Sequence, residues 1–90
     1  MLDIELLYHN QNLPIIDLHT YSNPTDALEF LESQLFYLYK KREQQVRVIH
    51  GVGEGILKQK VHESLKQNAL VKRFGLEEHG GSTIVVLNIV

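Results

Sequence analysis

The spacing of apolar residues in the first half of the chain predicts a strand followed by a helix. Residues 13–19 are mostly apolar, which is typical of a buried strand. A helix follows because Asn23 is a suitable N-cap and Pro24 suits the first helical position, and it extends to about Lys40. Leucines recur along it at steps of three and four residues, which predicts one buried stripe. These leucines are Leu28, Leu31, Leu35 and Leu38.

The second half of the chain repeats this alternation and then adds a pair of strands. Residues 46–50 predict the second strand, and a glycine-rich turn leads from it into a second helix. Apolar residues recur every four positions along that helix, at Leu57, Val61 and Leu65. Residues 71–76 and 83–90 predict two more strands, joined by a polar loop that contains Gly80 and Gly81. The nearly continuous apolar run in the last strand indicates a central position in the sheet.

The predicted order of elements is therefore β-α-β-α-β-β. Two strand–helix–strand crossovers predict an α/β fold with right-handed connections and a mixed four-stranded sheet. With only two helices, both can cover one face of the sheet, which gives a two-layer sandwich. Residues 13–90 form the predicted domain, and residues 1–12 have weak periodicity and predict an N-terminal arm or edge element.

Composition narrows the classes of protein to which this chain can belong. Hydrophobic residues make up 43% of the sequence and charged residues 22%, which is typical of a folded soluble domain. The chain has no cysteine, which excludes a disulfide framework and any thiolate metal site. No apolar run approaches the roughly 18 residues of a membrane-spanning helix. Acidic residues near the start argue against a secretory signal, so we expect a cytoplasmic protein without membrane contact.

Two histidines follow the two strands that the first helix connects. His19 ends the first predicted strand and His50 ends the second, so both would reach the edge where ligands of parallel strands bind. Asp17 shares a strand face with His19 at a separation of about 7 Å, which predicts convergence on a ligand or water rather than direct pairing. His19 is a candidate general acid or base, and Asp17 either orients it or binds a metal ion. The alternative is a solvated strand end without a function.

The turn between the second strand and the second helix is rich in glycine. Gly51, Gly53 and Gly55 let the backbone approach a ligand closely, and free N–H groups at a helix start attract anions. This turn is therefore a candidate phosphate-binding loop, and Lys58, one helical turn further on, is a candidate phosphate ligand. The competing interpretation is a tight turn that needs glycine only for its conformation. The negative charge of Glu54 favours that second interpretation.

Several polar and aromatic residues lie outside these two motifs. Thr83 follows the two glycines of the last loop and is a candidate to add a hydroxyl to the same site, although such a stretch is more often only a turn. Tyr21 lies just after His19, where its ring is placed to stack on a nucleic-acid base. The remaining histidines are expected on the surface, and no pair of histidines has the spacing of a helical zinc site. These are His9, His62 and His79.

These motifs resemble those of a known family, the small MutS-related (Smr) domain. Ile16-Asp17-Leu18-His19 resembles the Leu-Asp-x-His motif of that family, and His50-Gly51-Val52-Gly53 resembles its His-Gly-x-Gly motif. Gly81-Ser82-Thr83-Ile84-Val85 is also similar to the family pattern, and the resemblance extends over residues 13–90. It implies a fold similar to the C-terminal domain of bacterial translation initiation factor three.

The resemblance also implies nuclease activity or nucleic-acid binding. Asp17 and His19 would then belong to the cleavage site, while Gly51, Gly53 and His50 would hold substrate phosphate, with a catalytic role for His50 left open. The chain departs from the family pattern at two positions. Thr20 stands where many members have glycine, and Val52 stands where a basic residue is common, which predicts weak or selective phosphate binding.

The leading hypothesis is an endonuclease that nicks DNA or cleaves RNA, with magnesium or manganese as the expected cofactor if a metal takes part. The alternative is a non-catalytic nucleic-acid-binding module, belonging to a larger MutS-like or other multidomain protein. The formal net charge of −2 and Val52 favour that alternative. A third hypothesis is a protein-interaction domain whose acidic surface contacts a basic partner.

Overall fold

The structure is a computed structural model that describes residues 12–90. The arm or edge element predicted for residues 1–12 lies, apart from Asn12, outside the described residues. The predicted order of elements is confirmed. Its members are β1 (Ile15–Asp17), α1 (Pro24–Lys40), β2 (Gln45–Ile49), α2 (Ile56–Gln67), β3 (Val71–Leu76) and β4 (Ser82–Leu87).

The four strands form one mixed sheet in the order β1-β2-β4-β3. β1 and β2 are parallel, as the crossover through α1 requires, and β4 pairs antiparallel with both β2 and β3. All six residues of β4 are buried. The prediction of a central position for the last strand is therefore confirmed.

Both helices pack on the same face of this sheet. The larger apolar cluster combines residues from both helices with those residues of β1, β2 and β4 that point to one side. In α1 the buried stripe includes Ala27 in place of Leu28, which is only half buried. The opposite face carries a smaller cluster of Leu13, Ile84 and Val86. The fold is thus the predicted two-layer α/β sandwich.

Two of the strands are shorter than predicted. β1 ends at Asp17 because the chain turns there, and the backbone N–H of Tyr21 donates to the carbonyl of Leu18 at 3.1 Å. β4 ends at Leu87, since the N–H of Asn88 leaves the sheet ladder and donates to the carbonyl of Leu70 at 2.8 Å. The early turn after β1 changes the geometry of the site that follows it.

The parallel register places two strand ends at one edge of the sheet. Asp17 at the end of β1 pairs with Ile49 at the end of β2, and the N–H of Leu18 still donates to the carbonyl of Ile49 at 2.7 Å. Each strand leads through a short connection into a helix, so the N-termini of α1 and α2 also lie at this edge. Neither helix of the described chain has the length and apolar content that a membrane crossing requires.

Candidate active site

Asp17 and His19 form a direct side-chain pair where β1 ends. Nδ1 of His19 lies 2.5 Å from Oδ1 of Asp17, and the same oxygen accepts the backbone N–H of His19 at 3.1 Å. The side chains remain 53% exposed in His19 and 45% exposed in Asp17. The hydrogen bond from the His19 side chain favours the ionised carboxylate, so the pKa of Asp17 lies below its ordinary value. The two residues therefore form a solvent-accessible carboxylate–imidazole pair, here called the Asp17–His19 dyad.

This geometry corrects the prediction that Asp17 and His19 would not pair directly. The expected separation of about 7 Å assumed that the strand continues through residue 19. The turn after Asp17 instead folds the imidazole back onto the carboxylate. Nε2 of His19 has no hydrogen-bond partner within residues 12–90, so it is available to a group from outside.

Residues 51–55 of the connection from β2 to α2, here called the glycine loop, include three backbone positions with positive φ. These angles are +81° at Gly51, +27° at Gly53 and +83° at Gly55. A side chain in the left-handed region costs about 1–2 kcal/mol, which explains the glycines. A methyl group built on Gly51 would lie only 3.6 Å from Cβ of His19. The glycine loop and the Asp17–His19 dyad are therefore neighbours.

The first amide of the glycine loop is already used inside the protein. The N–H groups of His50 and Gly51 both donate to the carbonyl of Gly81, at 3.1 and 2.9 Å. The Gly51 amide is therefore not the free phosphate donor that the sequence predicts. Within residues 12–90, the N–H groups of Gly53 and Gly55 have no hydrogen-bond partner, and they keep the capacity to bind an anion.

The N-terminus of α2 is electropositive and uncapped. Its N-cap residue is Gly55, no side chain of residues 12–90 caps its N–H groups, and the first turn contains no acidic residue. Lys58 lies in that turn, and its Cε is 3.9 Å from where a Cβ on Gly55 would be. Residues 50–58 line a shallow cavity of about 240 Å³. A cation beside uncapped amides is an arrangement that attracts phosphate.

His50 and Thr83 are buried, and of the two His50 alone belongs to the lining of this cavity. The exposed fractions are 5% for His50 and 0% for Thr83. Nε2 of His50 lies 2.8 Å from the Thr83 hydroxyl, and Nε2 of His62 lies 2.7 Å from the same hydroxyl. Nδ1 of His50 lies 3.0 Å from the carbonyl oxygen of Gly51. These contacts are here called the His62–Thr83–His50 relay.

The hydrogens of this relay follow from what each group can donate. A carbonyl only accepts, so Nδ1 of His50 carries the proton that bonds Gly51. In neutral His50 the nitrogen Nε2 then accepts from the Thr83 hydroxyl, and His62 donates to that hydroxyl. Burial lowers the pKa of both histidines, which favours these neutral forms. Both ring nitrogens of His50 are therefore engaged in internal hydrogen bonds.

The position of His62 differs from the sequence-based prediction. It is half buried, and its ring centroid lies 5.0 Å from that of Phe74 and 5.9 Å from that of His50. The sequence did contain an indication that His62 would be partly buried. It lies on the same helical face as the apolar residues of α2, since the steps between successive residues of this face are three, one and three. The residues are Lys58, Val61, His62 and Leu65. His79 is exposed as predicted, whereas His9 lies outside the described residues.

Tyr21 is exposed beside the dyad, and it also contacts α1. Its ring centroid lies 5.7 Å from that of Phe30, and 38% of the residue remains accessible. The structure therefore brings Asp17, His19 and the glycine loop together at one edge of the sheet. Tyr21 follows His19 by two residues in the chain. Stacking of Tyr21 on a base stays a prediction.

The chain is similar to known proteins both in sequence and in fold. A family model described as Smr domain matches residues 16–89. The Endonuclease MutS2 of Geobacillus thermodenitrificans (strain NG80-2) is 38% identical over 66 residues, which are 71% of this chain. The chain spans 8% of the length of that relative.

The fold is similar to a solved structure, the crystal structure of the Smr domain of Thermus thermophilus MutS2. The two superpose with a TM-score of 0.79 at 26% sequence identity. The similarity covers 84% of this chain and 99% of that chain. The shared α/β architecture therefore includes nearly all of the solved domain.

Proposed function

Because this chain belongs to the Smr domain family, we propose that it is an endonuclease that cleaves phosphodiester bonds in DNA or RNA. The observation that carries the proposal is the proximity of the Asp17–His19 dyad to the glycine loop, since a Cβ built on Gly51 would lie 3.6 Å from Cβ of His19. A proton acceptor beside donors that can bind phosphate is what phosphodiester cleavage requires, and this proximity supports the proposal. The name of the relative from Geobacillus, an endonuclease, agrees with this activity.

His19 is the proposed general base. Asp17 accepts the hydrogen on Nδ1 and thereby leaves Nε2 as the acceptor that faces solvent. An ionised Asp17 also stabilises the imidazolium that forms when His19 takes a proton from the attacking hydroxyl or water. In this scheme Asp17 orients His19, and His19 is the residue that meets the substrate.

The N-terminus of α2 is the proposed phosphate site. The free amides of Gly53 and Gly55 and the ammonium of Lys58 would bind the non-bridging oxygens of the scissile phosphate. Donors held in place before the substrate arrives stabilise the charge that develops at phosphorus. His50 contributes indirectly in this scheme, because both its ring nitrogens are engaged within the protein.

A divalent cation at Asp17 stays a prediction. Residues 12–90 bring together no group of three or more His, Cys, Asp or Glu side chains that would hold a metal ion. The dyad offers two donors, which are Nε2 of His19 and the Asp17 carboxylate, whose Oδ1 is already engaged by His19. The proposed mechanism therefore assigns no step to a metal ion, and cleavage is to be measured both with added magnesium or manganese and with a chelator.

A non-catalytic nucleic-acid-binding module is the second candidate. Val52 is 64% exposed at the tip of the glycine loop, where it offers phosphate no charge, and the Glu54 carboxylate beside it repels anions. Both features weaken binding of the scissile phosphate. A module that only binds would keep the phosphate site without using the Asp17–His19 dyad.

A cleavage assay separates the two candidates. Supercoiled plasmid and structured RNA are incubated with the wild type and with the His19→Ala and Asp17→Asn variants. Loss of the general base should lower the cleavage rate by about 10²- to 10⁴-fold while nucleic-acid binding is retained. Glu29→Gln, an exposed change on α1, is the matched control and should cleave like the wild type. Binding without cleavage by the wild type, with or without metal, would overturn the nuclease and favour the module.

A further inference from the structure

The fully buried hydroxyl of Thr83 lies between the imidazoles of His50 and His62, at 2.8 and 2.7 Å. A hydroxyl in this position cannot reach a phosphate at the surface. We propose that Thr83 and His62 are positioning residues, which hold His50 and through it Gly51 in the conformation that the phosphate-binding loop requires. This inference rests on the proposed function and extends it to two residues that do not touch the substrate.

The first link runs from His50 to the glycine loop. The ring of His50 donates through Nδ1 to the carbonyl of Gly51, while the N–H groups of both residues donate to the carbonyl of Gly81. Gly51 is therefore held on both of its peptide groups. This clamp keeps Gly51 at a φ of +81°, and with it the start of the loop that carries the amides of Gly53 and Gly55.

The second link runs from His50 to α2 through Thr83. Thr83 belongs to β4 and His62 to α2, so the relay joins the central strand, the second helix and the loop between β2 and α2. The His62 ring packs against Phe74 of β3, with centroids 5.0 Å apart, which restricts its movement. The start of α2 is thereby fixed relative to the end of β2.

The position of the glycine loop sets the distance between the proposed base, His19, and the proposed phosphate site. Gly51 lies beside His19, so any movement of the loop changes where the scissile phosphate sits relative to Nε2 of His19. A misplacement of about 1 Å is enough to cost on the order of 100-fold in rate. A relay that stops such movement therefore contributes to catalysis without contacting the substrate.

The relay works in this form only with a neutral His50. Protonation at Nε2 would make that nitrogen a donor and leave the hydroxyl hydrogen of Thr83 without its acceptor. The other charged or titratable groups that act on the two rings are Lys58 and Lys66 of α2 and His79 of the β3–β4 hairpin. All of them disfavour a positive charge on these rings, in keeping with the direction of the hydrogen bonds.

The main test compares Thr83→Val with Thr83→Ser. Valine keeps the shape of the side chain and removes the hydroxyl, whereas serine keeps the hydroxyl. Cleavage by Thr83→Val should fall by about 10- to 100-fold at neutral pH, and Thr83→Ser should restore most of it. Equal cleavage by a folded Thr83→Val variant and the wild type would overturn the inference.

Nitrogen NMR of the imidazoles gives a readout that loss of packing alone would not move. In the wild type and in Thr83→Ser, neutral His50 should carry its hydrogen on Nδ1. In Thr83→Val the hydrogen should stay on Nδ1, because the Gly51 carbonyl still accepts it, and the pKa of His50 should rise above its wild-type value, because no hydroxyl then donates to Nε2 of the neutral ring. An unchanged pKa of His50 in Thr83→Val would contradict the relay.

A second pair of variants decides the matter if Thr83→Val does not fold. His62→Gln keeps an N–H donor for the Thr83 hydroxyl, and His62→Leu does not. Cleavage should fall further in His62→Leu than in His62→Gln, and equal rates for the two would count against the relay.

Failure of the proposed function would look different from failure of this inference. If the wild type cleaves nothing and inorganic phosphate does not shift the amide signals of Gly53 and Gly55, the proposed function fails and the inference fails with it. If the wild type cleaves and Thr83→Val cleaves equally well, only the inference fails. If the wild type binds phosphate without cleaving, weaker phosphate binding by Thr83→Val still supports the relay, and equal binding overturns it.

Discussion

The connections that leave the parallel strands β1 and β2 lie side by side, yet they lead into helix N-termini of opposite character. Before α1, the Asn23 side chain accepts the N–H of Thr25 at 2.8 Å, Pro24 occupies the first turn, and Asp26 places a negative charge there. Before α2, Gly55 provides no side-chain cap, and the first turn carries Lys58 without any acidic residue. The start of α1 is therefore capped by its own residues, whereas the start of α2 has no side-chain cap within residues 12–90.

This difference teaches that the two connections have separate tasks. A capped N-terminus with a nearby carboxylate stabilises a helix, whereas an uncapped one beside a cation gives up stability and keeps its donors for an anion. The first connection carries the Asp17–His19 dyad, and the second carries the free amides. The proposed chemistry needs both, because one provides the base and the other the phosphate site.

Among the substitutions that test this difference between the N-termini of α1 and α2, we expect the largest effect from Lys58→Glu. Reversal of this charge should weaken binding of a short single-stranded oligonucleotide by about 10-fold or more. The same change should stabilise α2 by about 0.3–1 kcal/mol, because a carboxylate suits the positive end of a helix. Fluorescence anisotropy measures the binding, and urea denaturation measures the stability. Lys60→Glu, an exposed change of equal charge on the same helix, is the control. Equal losses of affinity in both variants would refute a local phosphate site.

A second prediction concerns the backbone of the second connection. Gly51→Ala should destabilise the protein by about 1–2 kcal/mol, because alanine resists a φ of +81°. Space is not the constraint, since the nearest atom to the added methyl group is 3.6 Å away. Gly53→Ala also strains the backbone, at a φ of +27°, but it should cost less because no hydrogen bond within residues 12–90 holds the Gly53 N–H and the exposed loop can relax there. Chemical denaturation compares the two variants, and a larger loss for Gly53→Ala would contradict the clamp on Gly51.

The corresponding change in the first connection is Asn23→Ala. Loss of this cap should lower the free energy of unfolding by about 1 kcal/mol. Nucleic-acid binding should be unaffected under conditions where the variant is folded, because the open site belongs to α2. Ser22→Ala, at the exposed neighbouring position, provides the control. Weaker binding in Asn23→Ala would show that the two helix starts do not have separate tasks.

The smallest expected effect is a dependence of stability on pH that comes from the second connection. Burial lowers the pKa of His50 and His62 from the ordinary value of 6.5, so the unfolded chain binds more protons as the pH falls below that value. Their contribution to stability is complete above pH 6.5 and is lost as the pH falls towards the lowered pKa values of the folded state. Denaturation at pH 7.5, 6.5 and 5.5 measures the loss. The loss of stability at low pH should be smaller in His62→Gln than in the wild type, because the variant lacks one of the two imidazoles. An equal loss in both proteins would contradict the assignment of part of this pH dependence to His62.

Local signals in the sequence predicted much of the fold because they act over a few residues. The start of α1 depends on the neighbouring residues Asn23 and Pro24, and its buried stripe depends on steps of three and four residues. The alternation of strands and helices follows from local patterns of the same kind. The Asp17–His19 contact is equally local, but it was not predicted. It depends on where β1 ends, and that point is set by the turn in which the N–H of Tyr21 donates to the carbonyl of Leu18.

The order of the elements, the helix caps and the position of both motifs at strand ends could be predicted from the sequence, because periodicity and backbone preference depend on near neighbours. Which hydrogen-bond donors are free could not be predicted in this way, because it depends on contacts between distant parts of the chain. The Gly51 amide is taken by Gly81, and Thr83 is enclosed by His50 and His62, although these partners are distant in sequence. Hydrogen-bonding capacity is a property of each residue, but its use depends on which residue the fold brings within reach.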